Sequence, residues 1–146
     1  MENAILRQFN LEDLQSISNI LETDFDDFWN YNTLKNDIES TISSSFCYII
    51  NNQIIGFASI SIILDVAELN NIVIRKSCRG NGYSSILLKY LIDFAKSKNC
   101  NKINLEVSAI NNVAIKLYKK FGFKQVGIRH KYYNGIDALL FTLELI

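Results

Sequence analysis

The chain contains no proline, one histidine, one tryptophan and one methionine among 146 residues. Without proline, glycine and asparagine must supply the chain reversals. The three cysteines, Cys47, Cys78 and Cys100, are odd in number and far apart. They fit neither a disulfide framework nor a metal-ligand spacing, which points to a reducing compartment. With His130 alone among histidines, no zinc site is expected. An excess of either charge is also lacking: 15 basic residues balance 15 acidic ones. Nucleic-acid binders usually carry a basic bias, so none is expected here. No apolar run approaches the roughly 20 residues that span a bilayer. Nor does the N-terminus read as a signal segment. The expectation is a cytoplasmic protein, a monomer or weak homodimer, that engages no membrane, nucleic acid or metal.

What is present is a core. Hydrophobic residues make up 49% of the chain, and a domain of this length buries roughly 68–70% of its unfolded surface. One domain over residues 1–146 is expected. Its most informative stretch is Arg79-Gly80-Asn81-Gly82-Tyr83-Ser84. A strand-like run precedes it, and an amphipathic run, Ser85 to Ala95, follows. A helix start leaves backbone N–H groups unpaired and carries partial positive charge, so it suits an anion. Gly80 and Gly82 lack Cβ and let a bulky anion approach the main chain. Arg79 offers a planar donor fork. Together they suggest a pyrophosphate cradle, although the same hexapeptide also reads as a plain glycine-bearing loop before a core helix. Two phosphate motifs are excluded. The dinucleotide fingerprint needs glycine where Ser85 stands, and the Walker loop needs a Gly-Lys-Ser/Thr triplet that the chain lacks.

Around this loop the pattern gives the order β-α-α-β-β-β-α-β-α-β-β. Ala4 to Phe9 reads as a strand, and Asn10 caps a helix carrying Leu11, Leu14 and Leu21. Thr33 is the expected cap of a second helix. Phe46 to Ile50 and Ile54 to Leu64 are β-branched and aromatic, joined by a tight Asn51-Asn52 turn. In the strand Val66 to Ile74, alternation puts Val66, Glu68, Asn70, Ile72 and Ile74 on one face. Lys102 to Val107 is a strand, Asn111 or Asn112 opens a helix, and Gly122 ends it. Phe123 to Arg129 and Ile136 to Leu145 are the last strands, with His130 to Gly135 between them. Such a mixture of βα units and hairpins predicts an α/β (α+β) fold: one mixed, mostly antiparallel central sheet with helices on both faces.

A second constellation follows the cradle: Leu105-Glu106-Val107, Asn111, Ala114, Leu117-Tyr118 and Gly122-Phe123. With both in order, the chain resembles the GNAT superfamily of acyl-CoA-dependent acetyltransferases. Arg79 to Ser84 is similar to its pyrophosphate loop, with Ser84 where the family prefers glycine or alanine. Leu105 to Phe123 is similar to its second motif. Glu68-Leu-Asn-Asn-Ile-Val-Ile, Asp27-Phe-Trp and Tyr132-Tyr133 with Asp137-Ala138 resemble the ribosomal-protein-alanine N-acetyltransferases. The proline usual before the tryptophan of that pattern is replaced by Phe28.

The resemblance implies acetyl-CoA as co-substrate and a protein N-terminus, a ribosomal protein among them, or a small amine as acceptor. It implies that the amides of Ile72, Val73 and Ile74 bind the pantetheine and polarise the thioester. Arg79, Gly80, Asn81, Gly82, Tyr83, Ser84 and Ser85 would hold the pyrophosphate, and Asn111 the pantetheine arm. By local sequence Asn111 is equally a plain N-cap. Glu106 is the candidate general base, acting through a water, because a carboxylate ending a central strand can face a cleft. A salt-bridged strand-end glutamate fits the same position. Glu68 is the rival base or an acceptor contact. Tyr118 is the candidate acid, since a phenol of pKa about 10 keeps its proton at neutral pH; periodicity alone makes it a core residue. Asp24, Asp26, Asp27 and Trp29 form one expected acceptor wall, Tyr132 and Tyr133 the other. The aspartates also fit a solvated loop.

Overall fold

The computed structural model describes residues 3–25 and 29–146, so Asp26, Asp27 and Phe28 lie outside the described residues. Seven strands and four α-helices follow the expected order: β1 (Ala4–Gln8), α1 (Leu11–Ser16), α2 (Tyr31–Glu39), β2 (Ser43–Ile50), β3 (Gln53–Ile63), β4 (Val66–Ile74), α3 (Tyr83–Ser97), β5 (Lys102–Ser108), α4 (Asn112–Lys120), β6 (Lys124–Tyr133) and β7 (Ile136–Glu144). The strands form a mixed, mostly antiparallel sheet in the order β1-β2-β3-β4-β5-β7-β6, flanked by helices. Among the described residues no helix is long and apolar enough to cross a membrane.

The chain divides into two compact units. The first comprises Met1–Ser61 and Asn70–Leu91. β1 pairs antiparallel with β2, and β2 with β3. Asn51 and Asn52 both take positive φ, 50° and 65°, which the two-residue turn of a right-twisted hairpin requires. Asn10 caps α1 as expected, and the cap is reciprocal: Asn10 Oδ1 accepts from the Asp13 amide and Asp13 Oδ2 from the Asn10 amide, both at 3.0 Å. α1 stops at Ser16, and the chain continues through a 3-10 turn, Ser18–Ile20, and a π turn, Leu21–Phe25. The cap of α2 is Asn30, not Thr33; its Oδ1 accepts from both the amide and the hydroxyl of Thr33. Phe9, Leu14, Phe25, Leu34, Phe57 and Val73 make the core of this unit. The Phe9 and Phe57 rings stack at 5.2 Å. Cys47 is fully buried there, and burial pushes its thiol up to about 11.

β4 breaks its alternation inside this unit. Asn70 Nδ2 donates to Ser61 Oγ at 2.7 Å, and Asn71 Nδ2 donates to Ser59 Oγ at 3.2 Å. Ser59 and Ser61 are two residues apart and share a face, whereas Asn70 and Asn71 are adjacent. Consecutive residues reaching one face mark a β-bulge. The expected faces are therefore reversed beyond Asn70. Val73 enters the core beside Phe57, and Ile74 lies on the opposite face against Gly56. A Cβ at Gly56 would come 2.7 Å from Ile74 Cδ1 and 3.1 Å from the Val73 carbonyl, so this close approach depends on glycine.

The second unit comprises Ile62–Leu69 and Ile92–Ile146. Val66, Ala67 and Glu68 pair parallel with Lys102, Ile103 and Asn104. β5 pairs antiparallel with β7 along its whole length, and β7 with β6. β5 buries Ile103, Leu105 and Val107 and leaves Lys102, Asn104, Glu106 and Ser108 on a half-open face. β6 runs further than expected, to Tyr133, whereas β7 starts at Ile136 as expected and ends at Glu144, one residue before the expected Leu145. The reversal is confined to Asn134-Gly135, with φ of 47° and 87°, so Tyr132 and Tyr133 belong to a strand rather than a loop.

Candidate active site

In the first unit, the glycine turn leads directly into α3. Ile86 N reaches Gly82 O at 3.4 Å, so the amides of Tyr83, Ser84 and Ser85 precede the first intrahelical bond. Gly80 and Gly82 take φ of +83° and +80°, and a Cβ built on either meets no heavy atom within 4 Å. The main chain is thus bare on that side. Arg79 does not present a free fork. Its Nε donates to Ile74 O at 2.9 Å and its Nη2 to Phe25 O at 3.1 Å. Its guanidinium shapes the loop by tying the end of β4 to the π turn. Asn81 Nδ2 closes the turn on the Cys78 carbonyl at 2.9 Å. The Tyr83 ring lies 5.5 Å from that of Tyr48.

Asp24 is engaged in the same place. It forms an ion pair with Arg75 Nε at 2.9 Å and accepts from the amide and hydroxyl of Ser77, both at 3.2 Å. Its carboxylate holds the segment that follows β4, so the structure gives it a partner in place of an open acceptor wall. Trp29 is partly buried against the core of this unit.

In the second unit, Glu106 and Glu68 lie on one sheet face, because Glu68 is in register with Asn104, two residues from Glu106. Glu106 is half-buried and pairs with Arg129 Nη2 through Oε1 at 3.0 Å. Arg129 stands opposite Ala138, which stands opposite Ser108, so the guanidinium crosses β7 where the side chain is smallest. It also lies 5.0 Å from the centre of the Tyr132 ring. Glu68 is exposed, yet partial withdrawal from water pushes its carboxyl above the usual range. Hydrogen bonding from Asn104 opposes the rise, and the charge of Glu106 adds to it. Asn104 is oriented for this role, since its Oδ1 accepts from Thr142 at 2.7 Å and leaves the amide nitrogen for Glu68.

Tyr118 is buried on α4, with Phe123 edge-on at 5.6 Å. Asn111 caps α4, its Oδ1 accepting from the Ala114 amide at 3.2 Å. The cap uses the oxygen alone. The Tyr133 backbone closes the β6–β7 hairpin against Ile136, and its side chain lies outside the described residues. Among the described residues no three His, Cys, Asp or Glu side chains are grouped to hold a metal. Reading the sequence missed Arg75, Arg129 and Asp37. Each acts through a partner far along the chain: Arg75 through Asp24 in the π turn, Asp37 on α2 through residues of three strands, and Arg129 through Glu106 across β7.

The chain matches the acetyltransferase (GNAT) family model over residues 14–123. It is 41% identical over 105 residues to the ribosomal protein bS18-alanine N-acetyltransferase of Haemophilus influenzae, covering 72% of this chain and 70% of that one. A Bacillus subtilis (strain 168) protein that carries the same name provisionally is 31% identical over 145 residues, 97% of this chain and 96% of its own. The crystal structure of the ribosomal-protein-S18-alanine N-acetyltransferase of Escherichia coli superimposes with a TM-score of 0.89 at 28% identity, covering 98% of this chain and 94% of that one.

Proposed function

The chain belongs to the GNAT acetyltransferase family, and on that premise we propose that it acetylates the N-terminal α-amine of a protein, of the ribosomal-protein-alanine type. It is an N-acetyltransferase, and acetyl-CoA is its co-substrate. The observation that carries the acceptor class is the match, over nearly the whole chain, to relatives named for that acceptor. A ribosomal acceptor puts the reaction in the cytoplasm.

The residues fit the cofactor. The bare main chain at Gly80 and Gly82 and the first amides of α3 suit a pyrophosphate. When bound, acetyl-CoA supplies an acetyl thioester. The amides of Ile72 to Ile74 bind the pantetheine and polarise the carbonyl; such donors are worth about 2.7–4 kcal/mol each. With its oxygen committed to the cap, Asn111 offers its amide nitrogen to the pantetheine arm. An α-amine has a pKa of about 7.7–8.0, against about 10.4 for lysine, so modest help makes it neutral. Glu106 gives that help through a water. Arg129 meets Oε1, and among the described residues no hydrogen-bond donor is seen on Oε2, which is proposed as the acceptor. Tyr118 holds a proton at its hydroxyl for the leaving thiolate. Tyr132, Trp29 and Tyr133 contact the acceptor.

One observation favours a second assignment of the base. Partial burial raises the Glu68 carboxyl, the direction that favours a general base. Thiol release with two peptides tests the whole reading: one with a free Ala-Arg N-terminus, one N-terminally blocked with an internal lysine. Turnover on the first alone is expected, abolished by Glu106→Gln and strongly reduced by Tyr118→Phe. Loss in Glu68→Gln with full activity in Glu106→Gln would transfer the base to Glu68. Turnover on the blocked peptide alone would make the acceptor lysine. Silence on both would leave a small amine or a non-catalytic acyl-CoA-binding module.

A further inference from the structure

We infer that Asp37 is a positioning residue: its carboxylate collects hydrogen bonds from β2, β3 and β4, and so holds the bulge that sets the course of the Ile72–Ile74 backbone. The inference rests on the assignment of those amides to acetyl-CoA.

Asp37 sits in the last turn of α2. Ser59 Oγ donates to its Oδ2. Ser43 Oγ donates to Oδ1 at 2.8 Å, and Asn70 Nδ2 reaches the same oxygen at 3.2 Å. The hydroxyls of Ser43 and Ser61 are 3.0 Å apart, and Asn70 Nδ2 donates to Ser61 as well. Asn71 reaches the hub through Ser59. The network is buried where it meets β4: Ser59 is 1% exposed and Asn71 6%.

Direction matters in this network. The chain Asn71 to Ser59 to Asp37 donates one way and ends on a group that only accepts. An amide at position 37 keeps one acceptor and makes the other a donor, so it sets an N–H either against the Ser59 hydroxyl hydrogen or against Ser43 and Asn70 Nδ2. The carboxylate also explains why two adjacent asparagines face one side. A regular strand would point one of them away, and both are retained because each has a partner on the serine-bearing face. The bulge in turn decides that Val73 enters the core while Ile74 packs against Gly56. A local polar cluster thus fixes the orientation of the three amides that follow it. α2 belongs to the segment that leads from the expected acceptor loop, so Asp37 joins acceptor-side and cofactor-side elements within one unit.

The test uses the full chain, labelled with ¹⁵N. In the wild type, acetyl-CoA should shift the amide signals of Val73 and Ile74. In Asp37→Asn, these signals should already be displaced in the free protein. kcat should fall about tenfold and acetyl-CoA affinity about fivefold, with peptide KM little changed. Ser59→Ala, which keeps the carboxylate, should give the same displacement in smaller measure. Asn10→Ala, which removes the α1 cap and no member of that core cluster, should lower Tm without moving the Val73 and Ile74 signals. If Asp37→Asn keeps wild-type signals and kcat while the wild type responds to acetyl-CoA, the role of Asp37 is overturned and the cofactor assignment stands. If the wild-type Val73 and Ile74 signals ignore acetyl-CoA, the cofactor assignment fails, and the role of Asp37 falls with it.

Discussion

Two arginine–carboxylate pairs in this molecule use the same groups to opposite ends. Arg7 engages Asp13 at both oxygens, 2.7 and 2.8 Å, and Asp13 also takes the Asn10 amide. Its side chain is 12% exposed. Burial pushes the Asp13 carboxyl up, but the hydrogen bond from Arg7, the Asn10 amide and the Arg7 charge outweigh it, and the net shift is downward. Every acceptor site of consequence is taken. Arg129 touches Glu106 at one oxygen, and its own side chain is 52% exposed. A saturated carboxylate is a structural part. One held at a single point is oriented yet keeps an oxygen for chemistry. This contrast is why the proton-transfer role is proposed for Glu106 and not for Asp13.

The contrast breaks most visibly at the carboxylates themselves. Glu106→Gln keeps the shape and one acceptor but removes the base, so kcat should fall by about 10²–10⁴, with Tm within a few degrees of the wild type. Asp13→Ala should do the reverse. It removes a two-point pair and half of a capping box, costing about 2 kcal/mol, while kcat below the melting range is unchanged. Urea unfolding and steady-state rates on both variants check this. Equal loss of stability in the two, or equal loss of rate, would mean that saturation does not separate the roles. A smaller effect isolates the orienting arginine. Arg129→Gln should lower kcat about three- to tenfold, with the KM for peptide nearly constant and partial rescue by Arg129→Lys. A rise in peptide KM alone would make Arg129 an acceptor contact instead.

Much of this arrangement is legible in the sequence, and the limits have physical causes. The element order, the Asn10 and Asn111 caps, the Asn51-Asn52 turn and the glycine loop are all set by neighbours within four residues. Asn134-Gly135 is itself a two-residue hairpin signal, and the reversal is confined to it, within the wider expected segment His130 to Gly135. The bulge was out of reach. Strict alternation along Val66 to Ile74 presumes a regular pleat, and the partners that break it, Ser59, Ser61 and Asp37, lie 9 to 33 residues away. Arg129 was hidden for a similar reason, since its link to Glu106 needs β7 between them, with a small residue at Ala138. Arg79 shows what a motif leaves out: two of its five guanidinium N–H donors go to the Ile74 and Phe25 carbonyls, partners that the sequence does not mark.

The finest test of the contrast is its dependence on pH, because the two units shift a carboxyl in opposite directions. Asp13 is lowered, so the stability it confers is present above the ordinary carboxylate value, about 3.9, and is lost as pH falls through its folded value below that. Glu68 is raised, so the folded chain holds this proton more tightly than the unfolded one. Stability therefore declines as pH rises from the ordinary glutamate value, about 4.3, through the raised folded value. Glu68→Gln should then melt about 1–2 °C above the wild type at pH 7 and match it near pH 3.5, a small effect because the residue is exposed. Asp13→Asn should show the mirror image, a deficit at pH 7 that fades below pH 4. If Glu68→Gln shows no difference between the two pH values, then neither the neighbouring Glu106 charge nor partial burial shapes that carboxyl. The case for Glu68 as the alternative base would lose its support, while the Glu106 assignment, which rests on geometry, would not change.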